Sequence, residues 1–177
     1  MVKHTKELHL KPIYNILGVI SLISLIFACS EPPQEQALVE VTEPETVLFL
    51  CPHGAAKSVL ASAYFEKLSA EKGLRFQGAS AGTEPDAVTA PVVVNLLKDE
   101  GIEVSDRIPR LVTNEELSAA YRVISMGCDL GEMAPAGVAV EEWDMPDFSA
   151  DVPTARSAIY AHVECLVDDL SHKESSQ

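Results

Sequence analysis

The sequence predicts a three-layer α/β sandwich in which a short, mostly parallel sheet is flanked by helices. Three observations lead there. Strand-like and helix-like segments alternate at the spacing of crossover connections, which is the pattern of a parallel sheet covered on both faces. An apolar run, Val47-Leu48-Phe49-Leu50, passes directly into a small-residue turn, Cys51-Pro52-His53-Gly54-Ala55-Ala56-Lys57-Ser58, that opens a helix. A long helical pattern, with Pro153 in its first turn, closes the chain.

The elements follow in order. Residues 46–50 form a short buried-strand pattern, and 58–72 a helix with Val59, Leu60, Ala63, Tyr64 and Leu68 near helical spacing. Ser58 is a candidate N-cap and Gly73 a C-terminal stop. Residues 74–79 read as the second strand, leading into Ser80-Ala81-Gly82-Thr83. A second helix covers 91–100, with Val93, Val94, Leu96 and Leu97, and Gly101 ends it. Thr113 and Glu116 make a capping box for a helix over 114–120. Residues 121–126 are the third strand, 139–142 a weak fourth, and 152–170 the terminal helix.

The chain has 177 residues, and its ends read differently from its middle. Lys3, Lys6 and Lys11 precede an apolar run over 13–28 that ends in Ala28-Cys29-Ser30. A basic start, a short apolar run and a small residue before cysteine form a lipoprotein-type signal. Residues 1–28 are thus expected to be the signal, with Cys29 the lipidated residue of a membrane-anchored, extracytoplasmic (periplasmic) lipoprotein. Residues 29–45, rich in Pro, Glu and Gln, read as a flexible tether. The folded domain is expected over 46–171, with a disordered tail over 172–177.

Charge and cysteine spacing exclude several classes. The formal net charge is −14, from 27 acidic and 13 basic residues. So acidic a chain lacks the basic footprint of a nucleic-acid binder. Once Cys29 is set aside, Cys51, Cys128 and Cys165 remain, an odd number with no Cys-x-x-Cys spacing. That excludes a disulfide scaffold, and no metal or cofactor is expected. Cys165 is expected to be a buried, small apolar residue of the terminal helix.

The informative segment is the loop at 51–58. A cysteine at a strand end, heading a tight turn into a helix, sits where backbone N–H groups and the positive end of a helix dipole converge. Both favour negative charge, on an oxyanion or on the sulfur. Cys51 is the candidate nucleophile. Pro52, His53, Gly54, Ala55, Ala56 and Ser58 would line the cradle, with Ser58 hydrogen-bonding the loop or the thiolate as well as capping the helix. Gly54 can take a positive φ without strain. Lys57 supplies a cation, as a point charge rather than a planar fork.

The segment resembles the opening of the low-molecular-weight protein tyrosine phosphatases and the related thioredoxin-coupled arsenate reductases, whose loop reads Cys, five residues, Arg, Ser. Lys57 departs from that pattern. Further matches run in order: Ser80-Ala81-Gly82-Thr83, then Glu100-Gly101-Ile102, Val123-Ile124-Ser125-Met126-Gly127-Cys128, and Trp143-Asp144-Met145-Pro146-Asp147. The resemblance covers about residues 46–170. It implies a phosphatase that forms a phosphocysteine on Cys51, holds the oxyanion with the loop N–H groups and Lys57, and uses Asp147 as general acid. Asp144 is the competing carboxylate, and Phe148 stands where the family has Pro. The implied alternative is an arsenate reductase, with Cys128 as a redox thiol and a thioredoxin-like reductant as partner. No cysteine in 129–135 completes that relay. A third reading is a non-catalytic relative that binds anions or a partner. The expected substrate is a phosphate ester or related oxyanion. The rim of the site is expected from 83–87 and 127–137.

Overall fold

A computed structural model describes residues 43–133, 137–138 and 140–176. The expected signal over 1–28, Cys29 and most of the tether lie outside the described residues.

Four strands, β1 (Glu45–Leu50), β2 (Phe76–Ala81), β3 (Arg122–Ser125) and β4 (Val140–Glu142), form one sheet in the order β2-β1-β3-β4. All three pairings are parallel. Four α-helices connect them: α1 (Lys57–Glu71), α2 (Pro91–Asp99), α3 (Asn114–Ala119) and α4 (Val152–Glu174). The architecture is the three-layer α/β sandwich expected from the alternation.

Strand period two sorts the core onto two faces. Val47 and Phe49 of β1 and Ile124 of β3 pack with α1, with Val93 and Leu97 of α2, and with Ile159, Val163 and Val167 of α4. Leu48, Leu50 and Val123 point the other way, onto Leu117 of α3 and onto Val112. Tyr64, Glu100 and Arg156 tie α1 to α4. The Tyr64 hydroxyl donates to Glu100 at 3.0 Å, and Arg156 Nε reaches both oxygens at 2.9 Å. Burial, with the Glu100 carboxylate beside it, pushes the Tyr64 phenol up to about 12.

The register aligns the carboxyl ends of the strands. Leu50 pairs with both Ala81 and Ser125, and Ser125 pairs with Glu142. Cys51, Gly82, Met126 and Trp143 therefore leave the sheet at one level, on the edge where parallel α/β sheets hold ligands.

Several boundaries moved for physical reasons. β2 starts at Phe76 rather than 74, because Leu74 still belongs to the cap of α1. Its N–H bonds Ser69 O at 2.9 Å, while Gly73, at φ +67°, bonds Ala70 O at 3.1 Å. This paired Schellman arrangement continues the helix cap past the glycine. The Thr113–Glu116 capping box is present as expected, and Asp151 caps α4 by accepting from Thr154 N–H. α4 ends at Glu174 rather than 170. A short 3-10 turn at Gly131–Met133 was not foreseen.

Two residue expectations are corrected. Ser58 is not the N-cap of α1: Ala56 holds that position with no side-chain cap, and Ser58 is the second helical residue, fully buried. Cys165 is exposed, not buried. The buried stripe of α4 runs through Ile159, Val163, Leu166, Val167 and Leu170, and Cys165 turns away from it, two residues beyond Val163.

Candidate active site

The segment from Cys51 to Ala56 links β1 to α1, and its shape is set by backbone hydrogen bonds to one neighbouring segment. The N–H groups of Glu84, Asp86 and Ala90 donate to Pro52 O (2.8 Å), His53 O (3.0 Å) and Ala55 O (2.9 Å). Gly54 N–H returns to Cys51 O at 3.2 Å. With these carbonyls bound outward, the remaining loop amides are free to face the space above Cys51.

Two glycines make this possible. Gly54 sits at φ +61°, and a Cβ there would stand 2.9 Å from Gly82 N. A Cβ on Gly82 would stand 2.6 Å from Gly54 N and 2.7 Å from Pro52 O. Gly82 cannot retreat, since its N–H donates to Arg110 O and its carbonyl accepts from Val112 N–H, both at 2.9 Å. In the sequence Gly82 stands out only as part of Ser80-Ala81-Gly82-Thr83, which carries no local sign of its role against the loop. Gly82→Ala is expected to lower stability by ~3 kcal/mol through a backbone clash. It should also lower kcat/KM by ~10²-fold through a misplaced loop. Thermal melts and steady-state kinetics on the same preparation check both; a variant that melts and turns over like wild type would refute the close approach.

Cys51 lies at the floor, only 3% exposed. Its thiol donates to Ser58 Oγ at 3.2 Å; once the sulfur is ionised, the same hydroxyl can donate to it. Ala55 is buried, and Pro52 and Ala56 are half-buried at the wall. His53 does not reach the sulfur by any hydrogen bond. Its ring is exposed and stands 3.5 Å from Asp86 on the rim.

Lys57, the first residue of α1, lies between two cavities. One, about 670 Å³, is lined by Cys51, the loop and Asp147; the other, about 260 Å³, by Gly127, Glu142 and Asp144. Gly127, at φ +90°, leaves room beside the ammonium: a Cβ there would be 3.9 Å from Nζ. Among the described residues Lys57 enters no ion pair, so no carboxylate neutralises it.

The structure separates the two candidate carboxylates. Asp147 lines the cavity that holds Cys51, whereas Asp144 lines the smaller one. Asp147 Oδ1 accepts from the Ser149 hydroxyl and from the Ser149 N–H, both at 2.8 Å. These bonds, the hydroxyl first, hold the carboxyl below its ordinary range, and the Lys57 ammonium adds to them. Ser149 had no sequence signal beyond its place two after an acid. Phe148, which departs from the family's Pro, buries its ring in the core and lines the same cavity. It pins the segment between β4 and α4 by packing rather than by ring closure.

Asp147 is thus held toward its carboxylate form, while a general acid must carry a proton. Ser149→Ala removes the leading cause of that lowering. It is expected to move the alkaline limb of the kcat–pH profile to higher pH, since that limb marks loss of the acid's proton. An unmoved limb would assign the proton to another group.

Cys128 is buried on the α3 side of the sheet, and its N–H bonds Ser125 Oγ at 3.2 Å. Burial pushes its thiol up to about 11, with Cys51 the next contributor. It is a protonated thiol at neutral pH. The rim also differs from expectation. Of residues 83–87, Asp86 lines the larger cavity, with Ala90 and Val92 beyond it; of 127–137, Gly127 borders the smaller one, and 134–136 lie outside the described residues.

A parallel sheet that delivers a cysteine into a strand–loop–helix cradle with a cation and a carboxylate above it defines the class of cysteine-based enzymes that act on oxyanions. Within that class the chain belongs to the low molecular weight phosphotyrosine protein phosphatase family, whose model matches residues 46–144. A Halobacterium salinarum protein provisionally named an arsenate reductase is 30% identical over 101 residues, 56% of this chain and 71% of that protein. Among solved structures, the thioredoxin-dependent arsenate reductase of Corynebacterium glutamicum is similar at 28% identity and a TM-score of 0.62. That match covers 77% of this chain and 65% of the reductase. A low molecular weight phosphotyrosine phosphatase from Vibrio cholerae matches with a TM-score of 0.65 over 73% of this chain and 98% of its own. Its 20% identity shows the fold alone.

Proposed function

We propose that the protein hydrolyses phosphate monoesters through a phosphocysteine on Cys51. The observation that carries this reading is the single cavity holding Cys51 on its floor, Lys57 at its side and Asp147 at its rim. The Cys51 thiolate attacks phosphorus, and an S–P bond forms as the ester P–O bond breaks. Asp147 gives its proton to the departing oxygen. Water then attacks phosphorus, Asp147 takes its proton, the S–P bond breaks, and phosphate and thiolate are released. A phosphoryl dianion beside Asp147 would oppose the lowering by Ser149, because a like charge disfavours the ionised carboxyl.

The second reading is an arsenate reductase. The names of the Halobacterium and Corynebacterium relatives favour it. The raised Cys128 thiol and its burial weigh against it, since thiol exchange needs a thiolate with access.

Cys128→Ser separates the two. Under the phosphatase reading, the reduced full-length protein hydrolyses an aryl phosphate, and Cys128→Ser retains at least about half of that rate. Arsenate-dependent oxidation of a supplied thiol, lost in Cys128→Ser and unaccompanied by ester hydrolysis, would replace the proposal with the reductase.

A further inference from the structure

The cavity above Cys51 is much larger than a phosphoryl group needs. Its volume of about 670 Å³ falls within the ~300–1,000 Å³ of sites that enclose organic ligands. The wall beyond the loop is aliphatic: Ala90, Val92 and Val152 face the same space. Val92 is 45% exposed at the second position of α2, an apolar side chain left open at the mouth. Val88, on the same segment, is 66% exposed. Among the residues lining this cavity, no exposed ring stands ready to stack an aryl group apart from the His53 imidazole that pairs with Asp86. Phe148 is only 8% exposed, so it offers little of its ring to a ligand. The ionisable groups around the mouth are Asp86 and Asp147 against His53 and Lys57, with Lys57 beside the cysteine.

We infer that the site takes phosphate monoesters whose leaving group is a short, uncharged aliphatic chain, seated on Val92 and Val152, in preference to an aryl ester or a bare oxyanion. The inference rests on the reading that the Cys51 loop holds the phosphoryl group. The phosphoryl end lies between the loop amides and Lys57, and the ester oxygen faces Asp147. The carbons then run past Ala90 to the valines. A second anionic group on the leaving group would meet Asp86 and Asp147 and would be disfavoured by like charge. A bare oxyanion would leave the valine wall uncovered and gain nothing from it.

Non-hydrolysable phosphonates test this without requiring turnover. Titration calorimetry on the reduced full-length chain in detergent would compare methylphosphonate, butylphosphonate and benzylphosphonate. Each methylene fully removed from water is worth about 4-fold in affinity. Butylphosphonate is therefore expected to bind at least ~10-fold tighter than methylphosphonate, and benzylphosphonate no tighter than butylphosphonate. Val92→Asn, at an exposed position that places no demand on the core, is expected to cut the butyl-to-methyl ratio to below about 3-fold. A wild-type ratio near one, a ratio unchanged in Val92→Asn, or a benzyl ligand tighter than the butyl one would each overturn the inference. Chain-length dependence without hydrolysis of any ester would uphold the ligand class and sink the phosphatase reading. Hydrolysis with length-independent affinity would do the reverse.

Discussion

Cys51→Ser is expected to reduce aryl phosphate turnover by ~10⁴-fold or more while leaving the fold intact. The argument is one of proton placement. Serine would keep the 3.2 Å contact with Ser58 Oγ and would fill the buried floor almost isosterically. Its hydroxyl would need a base to become a nucleophile, and the adjacent loop side chains, Pro52, Ala55 and Ala56, offer none. A thiol reaches its nucleophilic form by ionisation alone. The melting temperature should stay within about 3 °C of wild type, because no core contact or backbone bond is lost. Kinetics beside a thermal melt would check this. A variant keeping a tenth of the wild-type rate would show that another residue carries the covalent step.

Lys57 carries the second large effect. Lys57→Ala should lower kcat/KM by ~10²–10³-fold, the usual scale for one donor lost from a developing oxyanion. Lys57→Arg should move the other way. Guanidinium grips two phosphoryl oxygens in one plane, where ammonium acts as a point charge. One added charge-assisted hydrogen bond, about 1.5 kcal/mol, corresponds to roughly a 10-fold gain. The space for a larger head group exists, since Lys57 borders cavities on both sides and Gly127 presents no side chain to it. Arginine at 57 with a rate below that of lysine would mean that the loop geometry has adjusted to the ammonium. Then the cation's position, not its fork, would decide the rate.

Much of the fold was legible because it rests on periodicities that a sequence displays. The continuous apolar run over 47–50 and the capping box at Thr113 and Glu116 are local signals, and each predicted its element. Boundaries were less legible. Leu74 reads as strand by composition and is helix cap by hydrogen bonding, a choice that the Ser69 carbonyl makes and no propensity reveals. In the site, Cys51, Gly54, Lys57 and Asp147 came from the loop and from ordered motifs, and the structure places Cys51, Lys57 and Asp147 around one cavity. Gly82, Val92 and Ser149 were not given roles in the site, and Asp86 was expected only as part of the rim. Gly82 acts from another segment, against Gly54, while Ser149 acts two residues from Asp147 through a bond that residue type alone does not reveal. The cap role of Ser58 and the burial of Cys165 went wrong for a related reason: a type of residue suggests a role, but burial and facing decide it, and Ser58 meets the Cys51 sulfur at 3.2 Å.

The three outward bonds of the loop, from Glu84, Asp86 and Ala90 to Pro52, His53 and Ala55, have an evolutionary meaning. They are made by main chain to main chain, so they ask little of side-chain identity at the exposed His53. The glycines at 54 and 82 are the fixed points, and the exposed rim position between them and Cys51 is free to drift. A scaffold of this kind can change its cation or its rim without losing the pocket that defines it. Its chemistry is therefore open to retuning by single substitutions, and a saturation library at the exposed position 53 should stay largely folded where libraries at 54, at the buried Ala55 and at 82 collapse.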